Sequence, residues 1–159
     1  IVLTLTVGIC FKQVKEAMFL WLWLFPLRKN AGGYHATTKV KCFFISAVML
    51  ILAFVLFTVF EHTMVFYGIC ATVAGCAIWA LAPVDNLVKR LDVLEHRIYQ
   101  KRTRIVLGLE EVMFGVALFC KWEMVVRSIG MTFFIVTISL FMGTIKLKIY
   151  NKTDGRIYK

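Results

Sequence analysis

Apolar residues fall along this chain in long unbroken runs separated by short charged stretches. Cys42–Phe60 is nineteen residues without a charge. As a helix rising about 1.5 Å per residue it would span about 28 Å, the thickness of a bilayer core. Thr63–Pro83 is a second uncharged run of sufficient length. Ile105–Cys120 is shorter and carries Glu110 and Glu111. Met124–Ile145 is a fourth span, with Arg127 near its start. Two very short connections, Glu61-His62 and Lys121-Trp122-Glu123, join the spans in pairs. Upstream, Ile1–Phe11 and Ala17–Leu27 are half-length apolar runs around Lys12, Gln13, Lys15 and Glu16. They fit one tilted helix or two short ones, and two is the preferred reading.

Val84–Arg104 follows another rule. Val84, Leu87, Val88, Leu91, Leu94 and Ile98 recur at helical spacing, while Lys89, Arg90, Asp92, Arg97, Lys101 and Arg102 fill other faces. That pattern predicts an amphipathic helix lying in the membrane interface, with Asp85 after Pro83 as its N-cap. The expected fold is an all-α, polytopic integral membrane bundle. It has four spans, one or two N-terminal membrane helices and this interfacial helix, and its 159 residues suit one domain, 1–159. The first residue is Ile, so the natural N-terminus is expected to lie upstream. No signal-peptide pattern is visible in Ile1–Phe11.

Composition agrees: 60% of residues are hydrophobic and mean hydropathy is +0.80, too apolar for an ordinary soluble domain. The net charge of +10 changes the picture through its placement. Residues 28–41, 84–104 and 146–159 hold fifteen of the nineteen Lys and Arg. Four crossings put all three segments on one side, which the positive-inside rule assigns to the cytoplasm. Basic residues interleave with aromatics only around apolar runs, so nucleic acid is not an expected partner. Trp21 and Trp23 fit an interfacial anchor or an internal packing role.

Candidate chemistry concentrates in Ala31-Gly-Gly-Tyr-His35-Ala-Thr-Thr-Lys-Val-Lys-Cys42. Imidazole is the usual general base near neutral pH and thiolate the strongest side-chain nucleophile. Cys42 is expected as the first residue of a membrane helix, where free N–H groups and the dipole favour an anion. Residues seven apart on a continuous helix stand about 10.5 Å apart along its axis, too far for a hydrogen bond. The chain between His35 and Cys42 must therefore fold back, or the helix must start late. Gln13 and Glu16 are candidates to orient His35. Glu110 and Glu111 fit either a functional carboxylate in the bilayer or a structural pair with Lys12, Lys15 or a neighbouring base. Cys10, Cys70, Cys76 and Cys120 read as small hydrophobes, with no disulfide framework. One Cys and one His are too few for a metal, and His62 and His96 lie elsewhere, so no metal or cofactor is expected.

The block Arg28-Lys-Asn-Ala-Gly-Gly33-Tyr-His35-Ala, with Cys42 seven residues after His35 at a span start, resembles the accessory gene regulator B (AgrB) family. Ala82-Pro83-Val84-Asp85-Asn86, followed by Lys89 and Arg90, resembles the segment after that family's next span. The resemblance covers nearly the whole chain. It implies a membrane cysteine endopeptidase of bacterial quorum sensing that cuts an AgrD-like propeptide and helps to form a cyclic thiolactone. On it His35 is the base and Cys42 the nucleophile. Arg28 and Gly33 match further motif positions, Lys89 and Arg90 suit the acidic tail of the propeptide, and a homodimer is implied as a partner state. Thiolactone or lactone, and the third catalytic residue, stay open. The competing class is a non-enzymatic membrane peptide exporter or assembly factor, for which Cys42 would be dispensable.

Overall fold

The structure, a computed structural model, describes residues 2–34, 39–59, 64–84 and 92–157. Six helices follow in chain order: α1 Val2–Cys10, α2 Val14–Ala31, α3 Lys39–Val59, α4 Met64–Leu81, α5 Val93–Phe119 and α6 Glu123–Ile157. Among the described residues the only β-type pairing is an isolated parallel bridge between Gly32 and Val84.

The longest helix forms the axis of the bundle. α6 packs against α2, α3, α4 and α5. Its stretch Glu123–Tyr150 is long and apolar enough to cross a membrane by itself, while Val40–Leu56 and Phe66–Leu81 are shorter apolar runs. Val126, Ile129, Met131, Phe133, Val136 and Leu140 of α6 are buried against Leu20, Leu27, Ile78 and Leu107 of its neighbours. The outer faces are also apolar: Leu22, Phe44, Val73, Val112 and Phe141, one from each of α2 to α6, are all exposed.

The N-terminal region forms two helices, as the preferred reading had it. Lys12 makes the turn between them in the left-handed region (φ 56°), and Lys121 does the same between α5 and α6 (φ 57°). α2 is longer than the half-length run predicted. It continues through Pro26 to Ala31, with Arg28 and Lys29 in its last turn, where cations suit the helix dipole.

Three boundaries correct the sequence reading. The amphipathic stretch and the third span are one helix: α5 runs unbroken from Val93 to Phe119. Its N-cap is Asp92, not Asp85. The Asp92 carboxylate accepts from the Val93 N–H at 2.8 Å, and Glu95 returns to the Asp92 N–H in a capping box. Two orphan donors are satisfied there at once, which sets the start. Asp85, Leu87, Val88, Lys89, Arg90 and Leu91 lie outside the described residues. The basic tail is also helical, since α6 extends through Ile157 rather than ending near Ile145. Finally, α3 starts at Lys39, so Cys42 is its fourth residue and not its first.

Candidate functional site

The Arg28–Cys42 block is organised around a clamp on α6. Past the end of α2 the backbone turns through Gly32 (φ 71°) and Gly33 (φ 115°). Both angles lie where a Cβ is strained. The Val84 N–H donates to the Ala31 carbonyl at 3.1 Å. The Tyr34 N–H donates to Ser139, to its carbonyl at 2.9 Å and its Oγ at 3.1 Å. Arg28 closes the clamp. One guanidinium nitrogen, Nη1, donates to Ser139 Oγ, and Nη2 donates to the Tyr34 carbonyl at 3.2 Å. There is no room for a side chain at Gly33: a Cβ would stand 2.7 Å from Ser139 Oγ and 2.9 Å from Arg28 Nη1. Lys146, two turns further along α6, lies 4.9 Å from the centre of the Tyr34 ring.

Cys42 faces a pocket of about 650 Å³ that Arg28 also lines. Its walls come from α1 (Leu3, Thr4), α2 (Trp21, Leu24), α3 (Phe43, Ser46, Met49, Leu50) and α6 (Ile135). Both α2 tryptophans pack inward: Trp21 lines this pocket and Trp23 lies against the core. Arg28 thus touches the backbone just before His35 with one edge and shares a pocket with the thiol. His35 itself lies outside the described residues, as do Lys89 and Arg90. The structure does bring together Arg28, Gly33 and Cys42.

Ser139 and Gly143 are the site residues that sequence reasoning missed. Ser128, Thr132, Ser139 and Gly143 recur at spacings of four, seven and four in an otherwise apolar run. That is one face of a helix. Gly143 is where the backbone of 33–34 and residue 84 come closest, since a Cβ there would meet Gly33 C at 3.0 Å, Tyr34 N at 3.0 Å and Val84 Cγ1 at 3.1 Å.

The chain belongs to the accessory gene regulator B family. The match to the family model covers residues 1–147. No curated protein and no solved structure matches the chain. Membership places the protein in a membrane-associated family of the agr quorum-sensing system and relates it to AgrD propeptide processing.

Two open readings meet the geometry of the described residues. Gln13 and Glu16, the candidates to orient His35, lie at the other end of α2 from Arg28, and His35 itself is outside the described residues. Gln13 precedes the first residue of α2, about 22 Å along that helix from Arg28. Its Nε2 donates to Thr58 Oγ1 at 3.1 Å, near the far end of α3 from Cys42. Glu16 pairs with Arg127 at 4.0 Å at that same end. The other concerns Glu110. It is buried, and among the described residues neither carboxyl oxygen has a hydrogen-bond partner, so it does not pair with Lys12 or Lys15. Glu111 is exposed and lies against Gly75 of α4. Among the described residues no group of His, Cys, Asp and Glu could hold a metal. All five cysteines are free, and Cys42 shares a pocket with Arg28.

Proposed function

We propose that this protein is a multi-pass membrane cysteine endopeptidase that cleaves an AgrD-like propeptide through a Cys42 acyl-enzyme and promotes thiolactone formation. The observation that carries the reading is the placement of Cys42. It sits in the first turn of α3 and lines, with Arg28, a largely apolar pocket. Family membership over residues 1–147 supports it.

The chemistry follows from the residue types. The His35 imidazole takes the Cys42 thiol proton. The thiolate adds to a propeptide carbonyl carbon, the C–N bond breaks, and the tail departs as an amine carrying the proton from His35. A thioester remains on Cys42. A thiol within the same peptide then gives its proton to the neutral His35 and attacks the thioester carbonyl. Its sulfur replaces that of Cys42, which leaves as thiolate and takes the proton back from His35, and the ring closes. Thioester exchange is close to balanced in energy, so removal of the tail draws the reaction forward. Arg28 supplies positive charge near the tetrahedral oxyanion, and free N–H groups in the first turn of α3 supply donors. Gly33 lets the backbone into the clamp, and Lys89 and Arg90 attract the acidic tail.

The exposed apolar faces of five helices support several crossings, because patches of that extent on a water-soluble monomer are rare. The basic segments support a site on the cytoplasmic side. Single cysteines introduced in 84–104 should resist impermeant thiol reagents added outside cells, while one at Lys121 should react. The decisive test is propeptide cleavage at equal membrane abundance. Cys42→Ala and His35→Ala should each abolish it, and alanine at Cys10, Cys70, Cys76 or Cys120 should not. Full activity in Cys42→Ala would sink the protease reading.

A further inference from the structure

We propose that the seam between α4 and α5 holds an anionic phospholipid of the cytoplasmic leaflet, with its phosphate on Arg104. The inference rests on the reading of several membrane crossings and is separate from the protease chemistry.

Arg97, Lys101, Arg104, Gly108, Glu111 and Gly115 recur along α5 at alternating spacings of four and three, which puts them on one face of the helix. Thr103, Leu107, Glu110 and Phe114 form the buried face beside it. The stripe meets α4 at two points. The guanidinium carbon of Arg104 lies 4.7 Å from the centre of the Trp79 ring, and Trp79 is itself half exposed. Glu111 lies against Gly75, one turn of α4 away from Trp79. The seam therefore carries cations toward one end and a carboxylate deeper in.

Arg104 is the last cation before the apolar run that begins at Ile105. In a helix that crosses there, that is the level of the lipid headgroups. Stacking on a ring fixes the plane of a guanidinium but uses none of its N–H donors. The buried Nε of Arg104 finds no acceptor among the described residues. A phosphate matches the outer fork, because it accepts two parallel hydrogen bonds. Lys101 and Arg97 are exposed, about 4.5 and 10.5 Å further toward the cytoplasmic end. They attract a headgroup of net negative charge and repel the ammonium of a zwitterionic one. Gly108 is one turn deeper. A Cβ there would meet no described atom within 4 Å, which leaves room for the glycerol backbone of the lipid. Glu111 keeps the phosphate from sinking further. The acyl chains then follow the exposed Ile105, Leu109 and Val112. A second copy of the chain, packed on this stripe about a two-fold axis, would instead set like charges against each other.

Native mass spectrometry tests this. Purified protein is placed in nanodiscs of equal phosphatidylglycerol and phosphatidylcholine, and the lipid that stays on the ejected protein is counted. Wild type should retain phosphatidylglycerol over phosphatidylcholine by about tenfold or more. Arg104→Gln should lower that ratio about fivefold, the effect of one cation near a lipid surface. Gly108→Leu leaves every charge in place, favours the helix and fills the space under the phosphate, so it should lower the ratio by about as much. Arg102 is exposed on the other side of α5, and Arg102→Gln removes the same charge there. It should change the ratio by less than about twofold, since it lies off the stripe. Far-ultraviolet circular dichroism of wild-type amplitude verifies that each variant is folded. Equal losses in Arg102→Gln and Arg104→Gln would reduce the effect to diffuse charge attraction and overturn the site. So would wild-type retention in Gly108→Leu, or displacement of phosphatidylglycerol by inorganic phosphate, which would mark a free-anion site. Each of these leaves the crossings and the protease standing. A wild type that does not enter the nanodisc removes the crossings, and the lipid site with them.

Discussion

Two arginines at opposite ends of this bundle, Arg127 and Arg28, are handled in opposite ways. Arg127, 8% exposed, is at the end where α1 turns into α2, within 4.0 Å of Glu16 and 3.9 Å of Glu123. Arg28 is at the other end. Its partners are a hydroxyl and a backbone carbonyl, and among the described residues no carboxylate lies within ion-pair distance. The charge of Arg127 is met by charge, which makes it structural. The charge of Arg28 is held in place by neutral acceptors and stays available beside a thiol. A guanidinium is suited to that arrangement because its fork can grip two acceptors at once.

The comparison breaks first at Arg127. Arg127→Ala leaves Glu16 without its partner and should destabilise the protein by about 3 kcal/mol. Cleavage per folded molecule should stay within about twofold, measured by denaturant titration alongside propeptide turnover. Loss of turnover at full stability would put Arg127 in the site. Arg28→Lys should do the reverse. A lysine keeps the charge but cannot hold Ser139 and Tyr34 together, so cleavage should fall about 100-fold, or about 2.7 kcal/mol in barrier, with little change in stability. Wild-type rates in Arg28→Lys would mean that only a point charge is needed.

A smaller effect sharpens the role of the clamp. Ser139→Ala removes the Oγ that both Arg28 and Tyr34 use, but the Ser139 carbonyl still accepts from Tyr34. The expected loss is about tenfold in kcat, in line with about 1.4 kcal/mol for a hydrogen bond to a charged group. Ser139→Thr, which restores a hydroxyl, should recover most of it. The smallest effect is expected at Gln13. Gln13→Leu gives up its bond to Thr58 and should leave turnover within twofold, as a residue at the far end of α2 must. A large loss of turnover there would revive its candidacy as the group that orients His35.

Much of the architecture was legible in the sequence because uncharged runs declare helices whatever their partners. α3, α4 and the apolar part of α6 fall where the runs do. The start of α5 was missed because helical periodicity between Val84 and Ile98 outweighed a short local signal, Asp92 with Glu95 three residues on. α2 was shortened because the apolar run is bounded by the charges at Glu16 and Arg28-Lys29, although a helix tolerates cations in its last turn. The remoteness of Gln13 from Arg28 becomes evident only once α2 is one helix. Arg28, Gly33 and Cys42 stood out by type and order. Ser139 did not, because its partner Arg28 is 111 positions away and no local pattern encodes that contact.

The bare backbone at Gly143 carries a consequence for how such sequences drift. Two stretches of chain meet at one point on α6: Gly33-Tyr34 and Val84. A side chain acquired at 143 would press on both at once, and each would have to give by a few tenths of an ångström. Neither can then shift independently, since a movement of one opens or closes space for the other. Positions 33, 84 and 143 should therefore accept substitutions as a set and reject them singly. A lineage that drifts at one of the three would have to repack the other two around the same point on α6.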